Sequence, residues 1–91
     1  MKLRWTGRAL SDLLRLEEFL QPKSERAAAR VVQMLVAAPH RLVDHPRIGE
    51  LVEHSGTEEV RCLFVGDYEI RYEVRPDEIW VARIWHTRED R

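Results

Sequence analysis

From Tyr68 to Arg75 apolar and charged residues alternate without interruption: Tyr68, Ile70, Tyr72 and Val74 against Glu69, Arg71, Glu73 and Arg75. Successive side chains of an extended strand point to opposite faces, so this period of two specifies a strand with one buried face and one solvated face. Gly66-Asp67 before it and Arg75-Pro76-Asp77-Glu78 after it are turn sequences. Val60 to Val65, Tyr68 to Arg75 and Ile79 to Trp85 therefore read as a three-stranded antiparallel meander, and the residues upstream as cover for one of its faces.

Upstream, Lys2 to Trp5 reads as a short strand, with Thr6 as an N-cap. Ala9, Leu10, Leu13, Leu14, Leu16 and Leu20 recur at helical spacing to about Gln21. Pro22 breaks this helix, and a second begins near Lys23 or Ser24. Its stripe is Ala27, Ala28, Val31, Val32, Leu35 and Ala38, with Arg26, Arg30 and Gln33 on the other side. The short connection predicts an antiparallel helical hairpin. Pro39 ends it, and Leu42, Val43, Pro46 and Ile48 form an ordered loop with a helical turn. Gly49 is expected at positive φ, Glu50 to His54 as an extra strand, and Ser55-Gly56-Thr57 as a turn.

The resulting fold class is α+β: one domain over residues 1–91, in the order β-α-α-β-β-β-β, with the hairpin packed on an antiparallel sheet. On the last strand Trp80, Ala82 and Ile84 alternate with Ile79, Val81, Arg83 and Trp85, so neither face is polar. Strict alternation sets Trp80 and Trp85 on opposite sides and leaves Ile79, Val81 and Trp85 beside Arg83. Such a face is expected to be covered by something outside this sequence.

Composition narrows the function. A chain of 91 residues builds one modest core, burying about 60–65% of its unfolded surface. A single cysteine, Cys62, excludes an internal disulfide and fits a reducing cytosol. No apolar run approaches the ~20 residues that span a bilayer, and MKLRWTGRAL lacks the apolar core of a signal peptide. A cytoplasmic protein without membrane contact is expected. The formal net charge of −1 lacks the basic balance of nucleic-acid binders. Sequence-specific DNA binding by this chain is therefore not expected, though a local basic face stays open. His40, His45 and His54 are scattered, with no zinc spacing, so neither metal nor cofactor is expected.

Arg61, Arg71, Arg83, Arg88 and His86 are the residues that could work on a phosphate. In a ribonuclease reading, a basic cluster grips RNA and stabilises phosphorane-like charge, while a His or Tyr moves the protons. In the other reading Arg71 is a solvated strand residue paired across the sheet with a glutamate. His86 is either an acid or base, without a carboxylate partner by spacing, or a structural residue that caps the last strand and bonds a carbonyl. Cys62, within a strand, reads as buried and inert. Trp85 with Arg83 is a candidate partner contact, because Trp and Arg are enriched at binding hot spots.

Several segments together resemble the toxins of the RelE/ParE superfamily, and the ParE branch above all. They are Ala9-x-x-Asp12-Leu13-x-x-Leu16-x-x-Phe19-Leu20, Leu42-x-x-x-Pro46-x-Ile48-Gly49, Val60-Arg61, Val65-Gly66-Asp67-Tyr68, Ile70-x-Tyr72-x-Val74 and Ile84-Trp85-His86-x-Arg88-x-Asp90. The resemblance implies this same architecture, with the first strand joining the sheet antiparallel to a neighbour. It implies a toxin of a type II toxin–antitoxin pair that inhibits DNA gyrase without catalysis. The alternatives are a RelE-like mRNA endoribonuclease, with Arg61, His86 and Arg88 as its catalytic set, and a toxin fold without activity. The RNA-cleaving branch has a basic residue where Glu69 follows Tyr68, two basic residues at alternate positions on the preceding strand, where only Arg61 is available here, and a catalytic tyrosine in its C-terminal extension. Here Cys62 and Leu63 follow Arg61, Thr87 follows His86, and the sequence ends at Arg91. The implied partner is a ParD-like antitoxin, in a heterotetramer or larger. It would lie along a hairpin groove flanked by Arg8, Arg15, Arg26 and Arg30 and continue over the sheet, with Arg83, Trp85, Arg15 and Arg30 as its contacts.

Overall fold

In the computed structural model, which describes residues 1–56 and 58–90, β1 (Lys2–Trp5) leads into α1 (Gly7–Leu20) and α2 (Glu25–Ala37). A 3-10 turn (Ala38–His40) and α3 (Arg41–Asp44) follow, then β2 (Glu50–Ser55), β3 (Glu58–Val65), β4 (Tyr68–Val74) and β5 (Glu78–His86). Thr6 begins α1 as expected: its hydroxyl accepts from the Ala9 amide at 3.0 Å. Ser24 does the same for α2, accepting from the Ala27 amide at 3.1 Å. Leu10 near the start of α1 meets Val36 near the end of α2, so the hairpin is antiparallel.

The sheet order is β1-β5-β4-β3-β2. From β2 to β5 the strands form an antiparallel meander, but β1 pairs with β5 in parallel, Lys2 opposite Glu78 and Trp5 opposite Val81. The sheet is therefore mixed, which corrects the expected antiparallel first strand. The reason lies in the edge of β5. Beyond Val81, among the described residues, no strand flanks it on the β1 side, and α1 takes the place of one. Thr6 donates its amide to the Val81 carbonyl and its hydroxyl to the Ala82 carbonyl. Asp12 accepts the Ile84 amide at 2.9 Å, and Arg15 donates to the Ile84 carbonyl at 3.1 Å. Only a β1 running with β5 delivers the helix to that stretch.

The helices cover the sheet face carrying Ile70, Tyr72 and Val74 of β4, as the alternation requires, together with Leu35 and Leu42. On β5 the alternation breaks. Arg71 lies opposite Arg83 but Tyr72 lies opposite Val81, so Ala82 is an extra residue. The bulge reverses the phase of the strand. Ile79, Val81 and Ile84 all enter the core, each fully buried, while Trp80, Arg83 and Trp85 take the far face. Two expectations are corrected: the tryptophans share a side, and Ile79 and Val81 do not lie on the open face.

That far face covers itself. The guanidinium groups of Arg71 and Arg83 each lie 4.9 Å from the Trp85 ring centre, and that of Arg75 lies 5.0 Å from the Trp80 ring. The arginines have their own acids: Arg71 with Glu69 at 3.1 Å, Arg75 with Glu73 at 2.8 Å and Arg4 with Glu78 at 2.8 Å. Arg71 thus pairs along its own strand, not across the sheet. Long polar side chains lay their apolar stems over the rings.

Gly49 is not at positive φ; among the described residues that conformation belongs to Gly56 and Gly66, at +60° and +57°. Gly66 opens the β3–β4 turn as expected, while the turn assigned to Ser55-Gly56-Thr57 falls outside the described residues at Thr57. Gly49 is needed for space. A Cβ there would sit 2.6 Å from both the Cys62 carbonyl oxygen and the Tyr72 hydroxyl. That hydroxyl accepts from the Gly49 amide at 3.0 Å and donates to the Pro46 carbonyl at 2.8 Å, pinning the loop to the sheet.

Candidate functional site

The basic residues do not converge. Arg61, half-buried on β3, hydrogen-bonds Glu59 at 2.6 Å and the Gly49 carbonyl at 2.8 Å. Arg47 reaches the same Glu59 at 2.9 Å. His86 pairs with Tyr68 and Arg61 with Tyr72. Arg61 and His86 are thus about four residues apart along the strands and separated by β4, a distance of about 16 Å between backbones. Glu69, after Tyr68, is buried on the far face against Arg71. Cys62 is buried, and its thiol is pushed up to about 12, first by burial and then by its hydrogen bond with Glu69. A thiol held protonated in this way is a poor nucleophile.

Glu59 carries a pH dependence. The hydrogen bond from Arg61 lowers its carboxyl below the ordinary value of 4.5; burial opposes this and Arg47 adds to it. A carboxyl whose pKa is lower folded than unfolded contributes its full stability above the unfolded value and loses it as pH falls through the folded one. The difference in Tm between the chain and Glu59→Gln is therefore expected to be constant above about pH 5.5 and to shrink below about pH 4.5. Thermal unfolding across that range measures it. A difference that stays flat into stronger acid would mean that these ion pairs do not hold Glu59 charged.

His86 closes the end of β5. Its ring meets Tyr68 edge-on at 5.1 Å, and Nδ1 accepts the Arg88 amide at 3.1 Å, where the sequence pointed to a bond to a carbonyl. Its own amide donates to Glu89 Oε1 at 3.0 Å. Arg88 is exposed beside it. Together they flank a cavity of about 560 Å³ between the end of α1 and the β5 terminus.

The anticipated partner contacts fall in different settings. Arg83 is held by the buried Asp12 through two hydrogen bonds, of 2.7 and 3.1 Å. Arg15 lies 3.3 Å from Asp12 and 3.1 Å from Glu89. Trp85 is stacked between Arg71 and Arg83. These three belong to one network that fastens α1 to β5, whereas Arg30 is exposed on α2. Asp12 was legible only as a carboxylate between Ala9 and Leu16 on an apolar helix stripe.

Besides that cavity, apolar side chains stand open in two settings among the described residues. One is the groove between the helices, lined by Trp5, Leu10, Leu13 and Val36 and continued by the exposed Leu14. The other is a set of single exposed side chains at the β2 side of the sheet, Ile48, Leu51, Val52 and Phe64, with Leu51 on the face of Arg61 and Phe64 on the face of Glu69. Among the described residues no group of His, Cys, Asp or Glu side chains could hold a metal ion, and no helix is long and apolar enough to cross a membrane.

Comparison with known proteins adds the context for these surfaces. The family model described as the ParE toxin of the type II toxin–antitoxin system parDE matches residues 3–91. Toxin RelE1 of Caulobacter vibrioides is 38% identical over 85 residues, covering 92% of this chain and 90% of that protein. Toxin RelE2 of the same organism is 34% identical over 83 residues, covering 91% of each. Among solved structures, the chromosomal ParDE toxin–antitoxin system from P. aeruginosa matches with a TM-score of 0.79 at 26% identity, covering 96% of both chains. The toxin–antitoxin complex RelBE2 from Mycobacterium tuberculosis shares the fold, with a TM-score of 0.58 at 21% identity, covering 93% of this chain and 95% of that one.

Proposed function

This chain belongs to the ParE toxin family of type II toxin–antitoxin systems, and on that premise we propose that it inhibits DNA gyrase without catalysing a reaction and is held inactive in the cytoplasm by a ParD-like antitoxin. The observation that carries the non-catalytic part is the commitment of its basic groups. RNA cleavage needs an acid, a base and a cation on one phosphate. Here Arg61 is spent on Glu59 and Gly49, Arg83 on Asp12, and His86 Nδ1 on the Arg88 amide. The RelE names of the Caulobacter relatives favour a second reading, a RelE-like mRNA endoribonuclease using Arg61, His86 and Arg88.

A supercoiling assay with purified gyrase, run beside a cleavage assay on ribosome-bound mRNA, separates the two. Loss of supercoiling with accumulation of gyrase–DNA cleavage complexes, and intact mRNA, is expected. Codon-dependent cuts that vanish in Arg88→Ala, with supercoiling untouched, would establish the ribonuclease instead.

For the antitoxin, both structural relatives are toxin–antitoxin systems. The groove of Trp5, Leu10, Leu13 and Val36 can take the apolar face of a partner helix, with Arg8 and Arg30 exposed on the two helices beside it for acidic flanks. Assembly on antitoxin dimers would give a heterotetramer or larger. Leu10 and Leu14 are exposed, so Leu10→Glu with Leu14→Glu leaves the core intact. The pair is expected to weaken antitoxin binding by about 2 kcal/mol or more, measured by calorimetry. Unchanged affinity would move the interface elsewhere.

A further inference from the structure

Beside the last turns of α1, Leu16, Phe19 and Leu20 face Tyr68 across the cavity of about 560 Å³. Its rim is cationic, with Arg15, Lys23 and Arg88 against the one carboxylate of Glu89. A volume of this size holds a compact organic ligand. The helical stretch that lines it, Arg15 to Leu20, rises only about 8 Å, too little to seat the successive anchors of a partner helix.

Arg15 supplies an independent observation. Its Nη2 is committed to Asp12 and to the Ile84 carbonyl. Its Nη1 is shut off from solvent, with Glu89 Oε2 3.1 Å away but no hydrogen bond of proper geometry. A buried donor left in that state is unfavourable. Glu89 is tied through its other oxygen to the His86 amide at 3.0 Å. It therefore neutralises Arg15 without satisfying it.

We propose that this cavity binds a small amphipathic monocarboxylate. The apolar body lies against Leu16, Phe19, Leu20 and Tyr68, and the carboxylate accepts from Arg15 Nη1 and faces Arg88, replacing Glu89 as the counter-ion. Octanoate is the probe, with octan-1-ol and octylamine as neutral and cationic controls of the same length. Each is titrated into the purified chain and followed by the amide NMR shifts of Tyr68, His86 and Arg88.

Octanoate is expected to bind about tenfold more tightly than octan-1-ol, and octylamine more weakly than either. Glu89→Gln keeps an acceptor for the His86 amide but removes the competing charge. It is expected to tighten octanoate about fivefold and leave octan-1-ol unchanged. Leu20→Trp, which fills the cavity, should abolish the shifts. Equal binding of octanoate and octan-1-ol, an unaltered octanoate affinity in Glu89→Gln, or full binding to a folded Leu20→Trp would each overturn the proposal. If Leu20→Trp does not fold, the Glu89→Gln comparison decides alone.

Discussion

Asp12→Ala is expected to destabilise the chain by about 3 kcal/mol or more, a large part of the stability of a domain this size. Asp12 is a buried carboxylate that accepts two hydrogen bonds from Arg83 and one from the Ile84 amide, with Arg15 alongside. Its removal strands a partly buried guanidinium and orphans a strand amide that has no neighbouring strand to turn to. Breaking one side of such a pair costs far more than replacing both sides, because the remaining charge keeps its desolvation penalty. Arg83→Met in the Asp12→Ala background should therefore recover part of the loss, so the two changes are not additive. Urea unfolding of the four proteins in the cycle measures this. The fall in Tm for Asp12→Ala alone should be roughly 15 °C. A loss below about 1 kcal/mol would place the network among ordinary surface pairs.

Gly49→Ala should be nearly as damaging, for a steric reason. The added methyl would meet a backbone carbonyl, that of Cys62, and the Tyr72 hydroxyl, both at 2.6 Å. The carbonyl belongs to β3 and cannot swing aside as a flexible side chain would. Either β2 moves off the sheet or the Tyr72 ring shifts and gives up its bonds to Gly49 and Pro46. Overpacking together with two lost buried hydrogen bonds amounts to about 3 kcal/mol. Tyr72→Phe removes only the hydroxyl and should cost about 1–2 kcal/mol. With the hydroxyl gone, Gly49→Ala should then cost less than in the parent chain. Equal costs in both backgrounds would mean that the clash with β3 alone sets the penalty.

The elements themselves were legible because local chemistry determines them. Thr6 and Ser24 cap, the Tyr68–Val74 alternation makes a strand, and Gly66 takes positive φ in the turn that follows β3. What was not legible depends on distant partners. The direction of β1 follows from where α1 must lie to close the β5 edge, and nothing in Lys2–Trp5 encodes that. The bulge at Ala82 carries no glycine or proline to announce it, yet it decides which side Trp85 occupies. The internal partners of Arg83 and Trp85, Asp12 and Arg71, lie far off in sequence or on the next strand, so the pattern of β5 alone does not announce them. The cavity at the end of α1 draws on a helix, two strands and the turn after β5, and no single stretch of chain signals it.

The sheet has unlike edges, and this governs how such a molecule can add strands. On one side β1 is four residues long and carries Lys2 and Arg4, and beyond it the backbone of β5 is consumed by side chains of α1. Short, charged or occupied edges do not template further pairing. On the other side β2 runs for six residues with Leu51 and Val52 exposed, and among the described residues no strand lies beyond it. Growth by edge pairing needs two usable edges per molecule, as a filament needs a head and a tail. With one, any strand added at β2, whether from a partner or from a second copy, ends the series.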